Sequence, residues 1–376
     1  MTPSGYTSKP KYYGRGAPSL VQSSSNSVPW KVIHLYTPDL IAQNTPCTFH
    51  PNFLPFELAN QLLRDLMNDS IQWSPNQFRL FNREVTSPHS TCFYVNSTHL
   101  EFFIDTYRYN GAPIKAVRPF SNNMLRVQKI VEQLVNEELS KRGYLKYQYK
   151  GKWLGDVTFC NRYNGPSESV GYHSDRLTYH GPMPVIASVS LGVTREFRLR
   201  ETTSSAQTYS LHLPHNSLLI MHAPCQEKYK HSVISCRKVD AHPISGNSRI
   251  NLTYRMYRDC HAPYNTPLCK CGIPMVLRCV TKKQESLGRY FWSCAASYQQ
   301  EKGCDTFHWA TFTDNGEPIN IPSASYPDKY VKPEFSARFQ PSSPSPFQSN
   351  IALPTQTEKK ESPNSASLSL AHDDRW

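Results

Sequence analysis

His173-Ser174-Asp175 sets an imidazole and a carboxylate two residues apart. In an extended strand such neighbours point the same way, so both side chains can reach one metal ion. Alone, such a triplet is more often a surface hydrogen-bonding pair. A third ligand has to come from farther along, and His231, in Tyr229-Lys230-His231-Ser232 beyond the apolar stretch 217–221, is the candidate, with His222 as the alternative. Two histidines and one carboxylate on one face leave open positions for a chelating cosubstrate and dioxygen, as a non-haem Fe(II) oxygenase requires.

The segment Arg249-Ile250-Asn251-Leu252-Thr253-Tyr254-Arg255 carries a second kind of chemistry. Period two puts Arg249, Asn251, Thr253 and Arg255 on one face and Ile250, Leu252, Tyr254 and Met256 on the other. The apolar face is core. The polar face brings two guanidinium groups toward the interior, where an unpaired charge is costly, so an anionic partner is expected. A dicarboxylate fits, because arginine pairs with carboxylate through two parallel hydrogen bonds.

A third group is made of thiols. Cys269-Lys270-Cys271, then Cys294 and Cys304, supply the four ligands of a closed tetrahedral Zn(II) site, with Cys279 left to packing and His308 as an alternative ligand. A segment of about 45 residues has too small a core to fold unaided, so zinc would hold it together. Over 267–312 six basic residues stand against three acidic ones. Tyr290, Phe291 and Trp292 lie among them, and cations for phosphates with aromatic faces for unpaired bases suit a single strand. One or two of these rings must serve the zinc-bound core instead.

Elements must position these groups. Leu58, Leu62, Leu63 and Leu66 share one face of a helix opened by Pro55, and Met124, Val127, Val131 and Leu134 share one face of a second. From Asp156 the period shortens, and 157–160, 185–191, 196–200, 217–221 and 249–257 read as strands separated by Pro, Gly and Asn. Helices first and strands afterwards predict an α+β domain over 46–260 whose strands form an antiparallel sandwich or barrel. The zinc segment, 267–312, follows as a small β-rich finger. Residues 1–45, with Lys9, Lys11 and Arg15 among Ser, Pro and Tyr, are expected to be a disordered basic arm, and 313–376 a disordered Ser/Pro-rich tail. The run Tyr144 to Lys152 reads as a solvated strand edge.

Composition narrows the setting. Across 376 residues the net charge is +12 with 30 Pro against 16 Gly, a balance that favours a polyanionic partner and long non-repetitive stretches. No apolar run approaches the length of a membrane span, and the start lacks a secretory signal. Eleven cysteines without such a signal argue for metal binding in a reducing compartment. The expectation is a soluble intracellular monomer without membrane contact, in the nucleus or cytoplasm, with the nucleus favoured by charge.

Taken in order, Asn161-Arg162-Tyr163, His173-Ser174-Asp175, Ile186 to Gly192, His231 and Arg249 to Arg255 resemble the AlkB family of Fe(II)- and 2-oxoglutarate-dependent nucleic-acid dealkylases. The resemblance covers roughly 46–258. It implies a double-stranded β-helix, or jelly roll, with a nucleotide-recognition region built from the preceding helices. It further implies that His173, Asp175 and His231 hold Fe(II), that Arg249 pairs with the distal carboxylate of 2-oxoglutarate, and that Asn161, Tyr163, Asn251 and Arg255 complete its pocket. The activity implied is oxidative removal of a methyl group from a base nitrogen as formaldehyde, with base flipping for duplex substrates. The cysteine segment, with Gly288-Arg289-Tyr290-Phe291 before Cys294 and Phe307 and Trp309 after Cys304, resembles a GRF-type zinc finger, which implies binding of single-stranded or damaged DNA, or RNA. Two departures bear on substrate: Leu177 stands where many family members carry an acid, and Pro88-His89 replaces a common Pro-Arg pair. A protein hydroxylase or demethylase, and a nucleic-acid adaptor with a silent oxygenase fold, are the competing readings.

Overall fold

The structure, a computed structural model, describes residues 31–80, 83–96, 108–109, 112–113, 117–203, 207–296, 303–319 and 321. The expected arm and tail lie mostly outside these residues, yet both inner boundaries move. Residues 32–35 form strand β1 and Pro38–Asn44 form helix α1, capped by the Thr37 hydroxyl, which accepts from the Leu40 amide. At the other end the chain stays ordered through the hairpin of β19 (Thr311–Phe312) and β20 (Pro318–Ile319).

Strands also precede and separate the helices, which corrects the expected order. After β2 (Cys47–Pro51) comes helix α2 (Phe56–Asp69), then β3 (Ser74–Leu80), the long β4 (Arg83–Val95), the two-residue strands β5 (Arg108–Tyr109) and β6 (Ala112–Pro113), and β7 (Val117–Pro119). Helix α3 (Asn122–Ser140) follows, opened by the Ser121 hydroxyl accepting from the Met124 amide. The remaining strands of the main domain are β8 (Val157–Asn164), β9 (Val170–His173), β10 (Ile186–Gly192), β11 (Arg195–Glu201), β12 (Thr208–Leu213), β13 (Ser217–Met221), β14 (Tyr229–Val233) and β15 (Ser248–Arg255), with the one-turn helix α4 (Cys225–Lys228) before β14.

Two sheets result. The larger runs β2-β13-β10-β15-β8-β4-β3, with β7 added parallel to β4; the smaller runs β1-β12-β11-β14-β9. Two stacked sheets with helices against one of them make a mixed α/β architecture of the expected jelly-roll kind. Period two divides the larger sheet as the sequence indicates. Ile250, Leu252 and Tyr254 point to the outer side, where Leu58, Leu62, Leu63 and Leu66 of α2 and Met124, Val127 and Val131 of α3 cover them. Full burial of each such side chain contributes about 1.5–3 kcal/mol. The inner side meets the small sheet across a second core that includes Ile186, Leu219, Phe197, Leu199 and Leu211.

A three-stranded sheet, β16 (Val276–Cys279), β17 (Tyr290–Ser293) and β18 (Phe307–Trp309), forms the cysteine-rich module. It belongs to the same compact unit as the two larger sheets. Its core contains Leu277, Tyr290, Trp292 and Phe312 together with Leu177, and Tyr147 packs on its margin. Tyr144 to Lys152 is therefore not a strand edge: the segment is irregular, and Tyr147 meets Tyr290 and Phe312 edge-on. Among the described residues no helix is long and apolar enough to cross a membrane.

Candidate active site

His173 ends β9 and His231 sits opposite it on β14, so strand pairing alone brings the two imidazoles side by side, with ring centroids 4.3 Å apart. Asp175 follows two residues later, with Oδ1 3.7 Å from His173 Nε2 and 3.5 Å from His231 Nε2. Two donors that each bind one ion at about 2 Å can be no more than about 4 Å apart, so these spacings suit a shared metal. Orientation is set from behind. His173 Nδ1 donates to the Gly171 carbonyl at 2.8 Å, which leaves Nε2 with a free lone pair, and the His231 ring stacks on Phe197. Burial and the neighbouring His231 lower the His173 pKa to about 4, so the ring is neutral and able to ligate at neutral pH.

Arg255, expected in the cosubstrate pocket, meets the carboxylate of the metal-ligand candidate Asp175. Its Nε and Nη2 donate to Asp175 Oδ2 at 2.9 and 2.6 Å. Burial would raise the Asp175 carboxyl, but the Arg255 cation overcomes it and holds the group well below the usual carboxylate range. Asp175 is thus ionised, with Oδ1 turned to the histidines. On the main chain, the Asp175 amide donates to Gln226 Oε1 of α4 at 2.7 Å.

The second half of the site is a polar row inside the large sheet. Register places Arg249, Asn251 and Thr253 of β15 opposite Tyr163, Asn161 and Phe159 of β8 on one side, and opposite Gly192, Ser190 and Ser188 of β10 on the other. Arg249 is 1% exposed. Its Nη2 donates to Ser190 Oγ and Asn251 Oδ1, both at 2.8 Å, while Nε and Nη1 are buried with no partner among the described residues. Burial depresses its pKa to about 10, so the guanidinium keeps its charge. An ionised, buried group with donors left unsatisfied in an enclosed space calls for an anionic partner, and a carboxylate is a strong acceptor for guanidinium. Opposite Arg249, Gly192 has φ +88°, and any Cβ there would overlap the Ser248 carbonyl. Tyr163 lies 5.5 Å from the Arg249 guanidinium and stacks on His89, the residue expected as a replacement for arginine. Burial raises the Tyr163 hydroxyl to about 12, so it stays a neutral donor.

Ser188 and Ser190 are contributors that sequence reasoning missed. Ser188 Oγ donates to Asn251 Oδ1 at 2.8 Å. The signal lay in the alternation of Ser188 and Ser190 with Val189 and Leu191 once β10 is set beside β15. The alternative ligand His222 is excluded by position, since it is buried against Thr48 Oγ1 at 2.9 Å and lies outside the ligand group.

The four cysteines converge. One sulfur each from Cys269, Cys271, Cys294 and Cys304 lies within 4.8 Å of the others, and Cys271 and Cys294 are 3.8 Å apart. Tetrahedral zinc with bonds of about 2.3 Å requires edges of about 3.8 Å. Cys279 and His308 lie outside the group. Of the three aromatics expected to stack on bases, Tyr290 and Trp292 are buried. Phe291 instead joins Phe307 and Trp309 on the opposite face.

Fold and site together define an Fe(II)- and 2-oxoglutarate-dependent dioxygenase. The chain belongs to the 2OG-Fe(II) oxygenase superfamily, which it matches over residues 46–255. Its relatives are AlkB-like. It is 28% identical over 257 residues to the DNA oxidative demethylase ALKBH2 of Arabidopsis thaliana, covering 62% of this chain and 71% of that one. Over 104 residues it is 36% identical to the alpha-ketoglutarate-dependent dioxygenase alkB homolog 3 of Mus musculus, and over 107 residues 35% identical to the DNA oxidative demethylase ALKBH2 of Homo sapiens. These two matches cover 26% and 27% of this chain, and 34% and 39% of those relatives.

Proposed function

We propose that this protein removes methyl groups from nucleic-acid bases by oxidation, and that its cysteine-rich module is a zinc finger bringing it to single-stranded or damaged DNA. The observation that carries the oxidative half is the orphaned Arg249 guanidinium in the same inter-sheet space as three convergent ligand side chains. His173, Asp175 and His231 would hold Fe(II), which when bound supplies dioxygen activation coupled to conversion of 2-oxoglutarate to succinate and carbon dioxide. Arg249 would anchor the distal carboxylate, with Asn251, Ser190 and Tyr163 shaping its pocket. Asn161 stands across from Asn251 at the edge of that row. Arg255 would act on the metal side, keeping Asp175 ionised and fixed. Oxygen inserted into an N-methyl C–H bond gives an N-hydroxymethyl group, and its C–N bond breaks to release formaldehyde and the unmodified base. The demethylase names of the relatives and the basic composition support a nucleic-acid substrate.

The test is stoichiometric. With a methylated oligonucleotide, Fe(II) and 2-oxoglutarate, succinate and formaldehyde should form in equal amounts, and His173→Ala should form neither. A protein hydroxylase would give no formaldehyde from the oligonucleotide, an inactive adaptor would give no succinate, and either result would end this reading.

For the finger, the outer face of β16-β17-β18 supports single-strand binding. Arg278, Phe291 and Trp309 are cross-strand neighbours, Phe307 and Trp309 are 45% and 43% exposed, and the Arg289 guanidinium lies 3.8 Å over the Trp309 ring. Exposed rings backed by cations stack on bases while meeting phosphates. Trp309→Ala should weaken single-strand binding by about 1–3 kcal/mol. Arg289→Ala should lower the slope of log affinity against log salt by about 0.7. An unchanged slope in a salt titration would remove Arg289 from the phosphate path.

A further inference from the structure

We infer that the cysteine-rich module is a wall of the oxygenase site, and that Tyr290, Glu227 and Leu177 are positioning residues through which it holds the segment following the ligand Asp175. This inference rests on the metal-centre reading and is independent of which substrate is demethylated.

The segment from Ser174 to Pro184 contains no strand or helix and is held from several sides. Its Ser174 hydroxyl donates to the Tyr229 carbonyl, and its Asp175 amide to Gln226. Leu177, two residues past the ligand, is 5% exposed and sits within the module's core beside Cys269, Leu277, Tyr290 and Trp292. The position at which an acid would address the substrate is therefore occupied by an anchor. Farther on, the Met183 amide donates to Glu227 Oε1 at 2.9 Å, and the same oxygen accepts from the Tyr290 hydroxyl at 3.1 Å. Glu227 adjoins Gln226 in α4, so one turn of helix holds the Asp175 amide with one side chain and the module's Tyr290 with the next. Burial pushes the Glu227 carboxyl up, and both groups near its Oε1 are donors. No cation pairs with it among the described contacts.

A second clamp lies after the fourth cysteine. In the turn between β19 and β20, the Asn315 and Gly316 carbonyls accept from Arg258 at 2.9 and 3.2 Å, and the Gly316 carbonyl also meets His261 Nε2 at 2.8 Å. Gly316 has φ +70°, and a Cβ there would overlap the Tyr147 carbonyl. The Arg258 amide in turn donates to the Tyr179 carbonyl of the held segment at 2.8 Å. A tether that only delivered the enzyme would need none of these buried contacts.

The experiment compares Tyr290→Phe, which keeps the ring, with Glu227→Leu and Glu227→Gln in the full chain with zinc bound. Amide exchange of 174–184 and Mn(II) affinity, read by electron paramagnetic resonance, are the measures; Mn(II) prefers imidazole and carboxylate to thiolate. Removing one partner of a buried hydrogen bond should raise exchange by about tenfold in Tyr290→Phe and Glu227→Leu, with Mn(II) affinity lowered about fivefold. Glu227→Gln keeps an acceptor oxygen and should restore both. Wild-type exchange and affinity in Tyr290→Phe and Glu227→Leu would overturn the inference, as would raised exchange with unchanged affinity. Neither result would touch the demethylase assignment, which is read on oligonucleotides.

Discussion

Arg249→Met is expected to weaken 2-oxoglutarate binding on the order of a hundredfold or more while leaving the protein without cosubstrate as stable as before, or more stable. Loss of one member of a buried, hydrogen-bonded charge pair costs about 2–5 kcal/mol of binding. In the empty pocket the sign reverses, because Arg249 keeps a buried charge with Nε and Nη1 unsatisfied. Exchanging such a charge for a well-packed apolar chain of similar volume is neutral or stabilising by about 1–4 kcal/mol. The hydrogen bonds from Nη2 to Ser190 and Asn251 would be lost, which sets the lower end of that range. Arg249→Lys should fall between, since an ammonium retains charge but not the planar fork. Calorimetric titration with 2-oxoglutarate and thermal unfolding read the two effects separately. Wild-type affinity in Arg249→Met would place the anion elsewhere.

Cys294→Ser is expected to strip the module of its metal and unfold it. Structural zinc contributes on the order of 10–16 kcal/mol in small finger domains, far more than this segment's own core can supply. Trp292, 3% exposed in that core, would become accessible, and the docking of Leu177 and Tyr290 would be lost with it. Elemental analysis for zinc and quenching of tryptophan fluorescence measure both consequences, and chelation of the native protein should reproduce them. A Cys294→Ser protein that retains zinc and native quenching would remove Cys294 from the ligand set, and a native protein that carries no zinc would show that the thiols are packing groups.

What was legible in the sequence follows from where the physics is local. The strand 249–255 could be read because alternation of buried arginine and asparagine with isoleucine, leucine and tyrosine has no comfortable reading other than a polar row facing an enclosed space. His173 and Asp175 were readable as a pair because two residues along a strand is a short-range relation. The partner of Arg255 was not readable. Which carboxylate a guanidinium meets depends on the return of Asp175 beneath β15, a contact across 80 positions. The long hairpin β3–β4 was missed because its register, from Ser74 opposite Thr91 to Leu80 opposite Arg83, is carried largely by polar residues that give little alternation. The choice between Tyr290 and Phe291 as the outward ring required the pairing of β17 with β18, which no local signal sets. Docking of the module onto Leu177 is tertiary throughout: an isolated leucine after a ligand carries no mark of what will cover it.

The most direct measurement is mass spectrometry of a panel of single- and double-stranded oligonucleotides, each bearing one N-methylated base, after incubation with the intact protein, Fe(II) and 2-oxoglutarate. At least one strand should lose the mass of one methylene group with wild-type protein, and keep it with His231→Ala or without 2-oxoglutarate. Unchanged masses across the panel, while the protein still converts 2-oxoglutarate to succinate with a methylated or prolyl peptide, would contradict the nucleic-acid assignment.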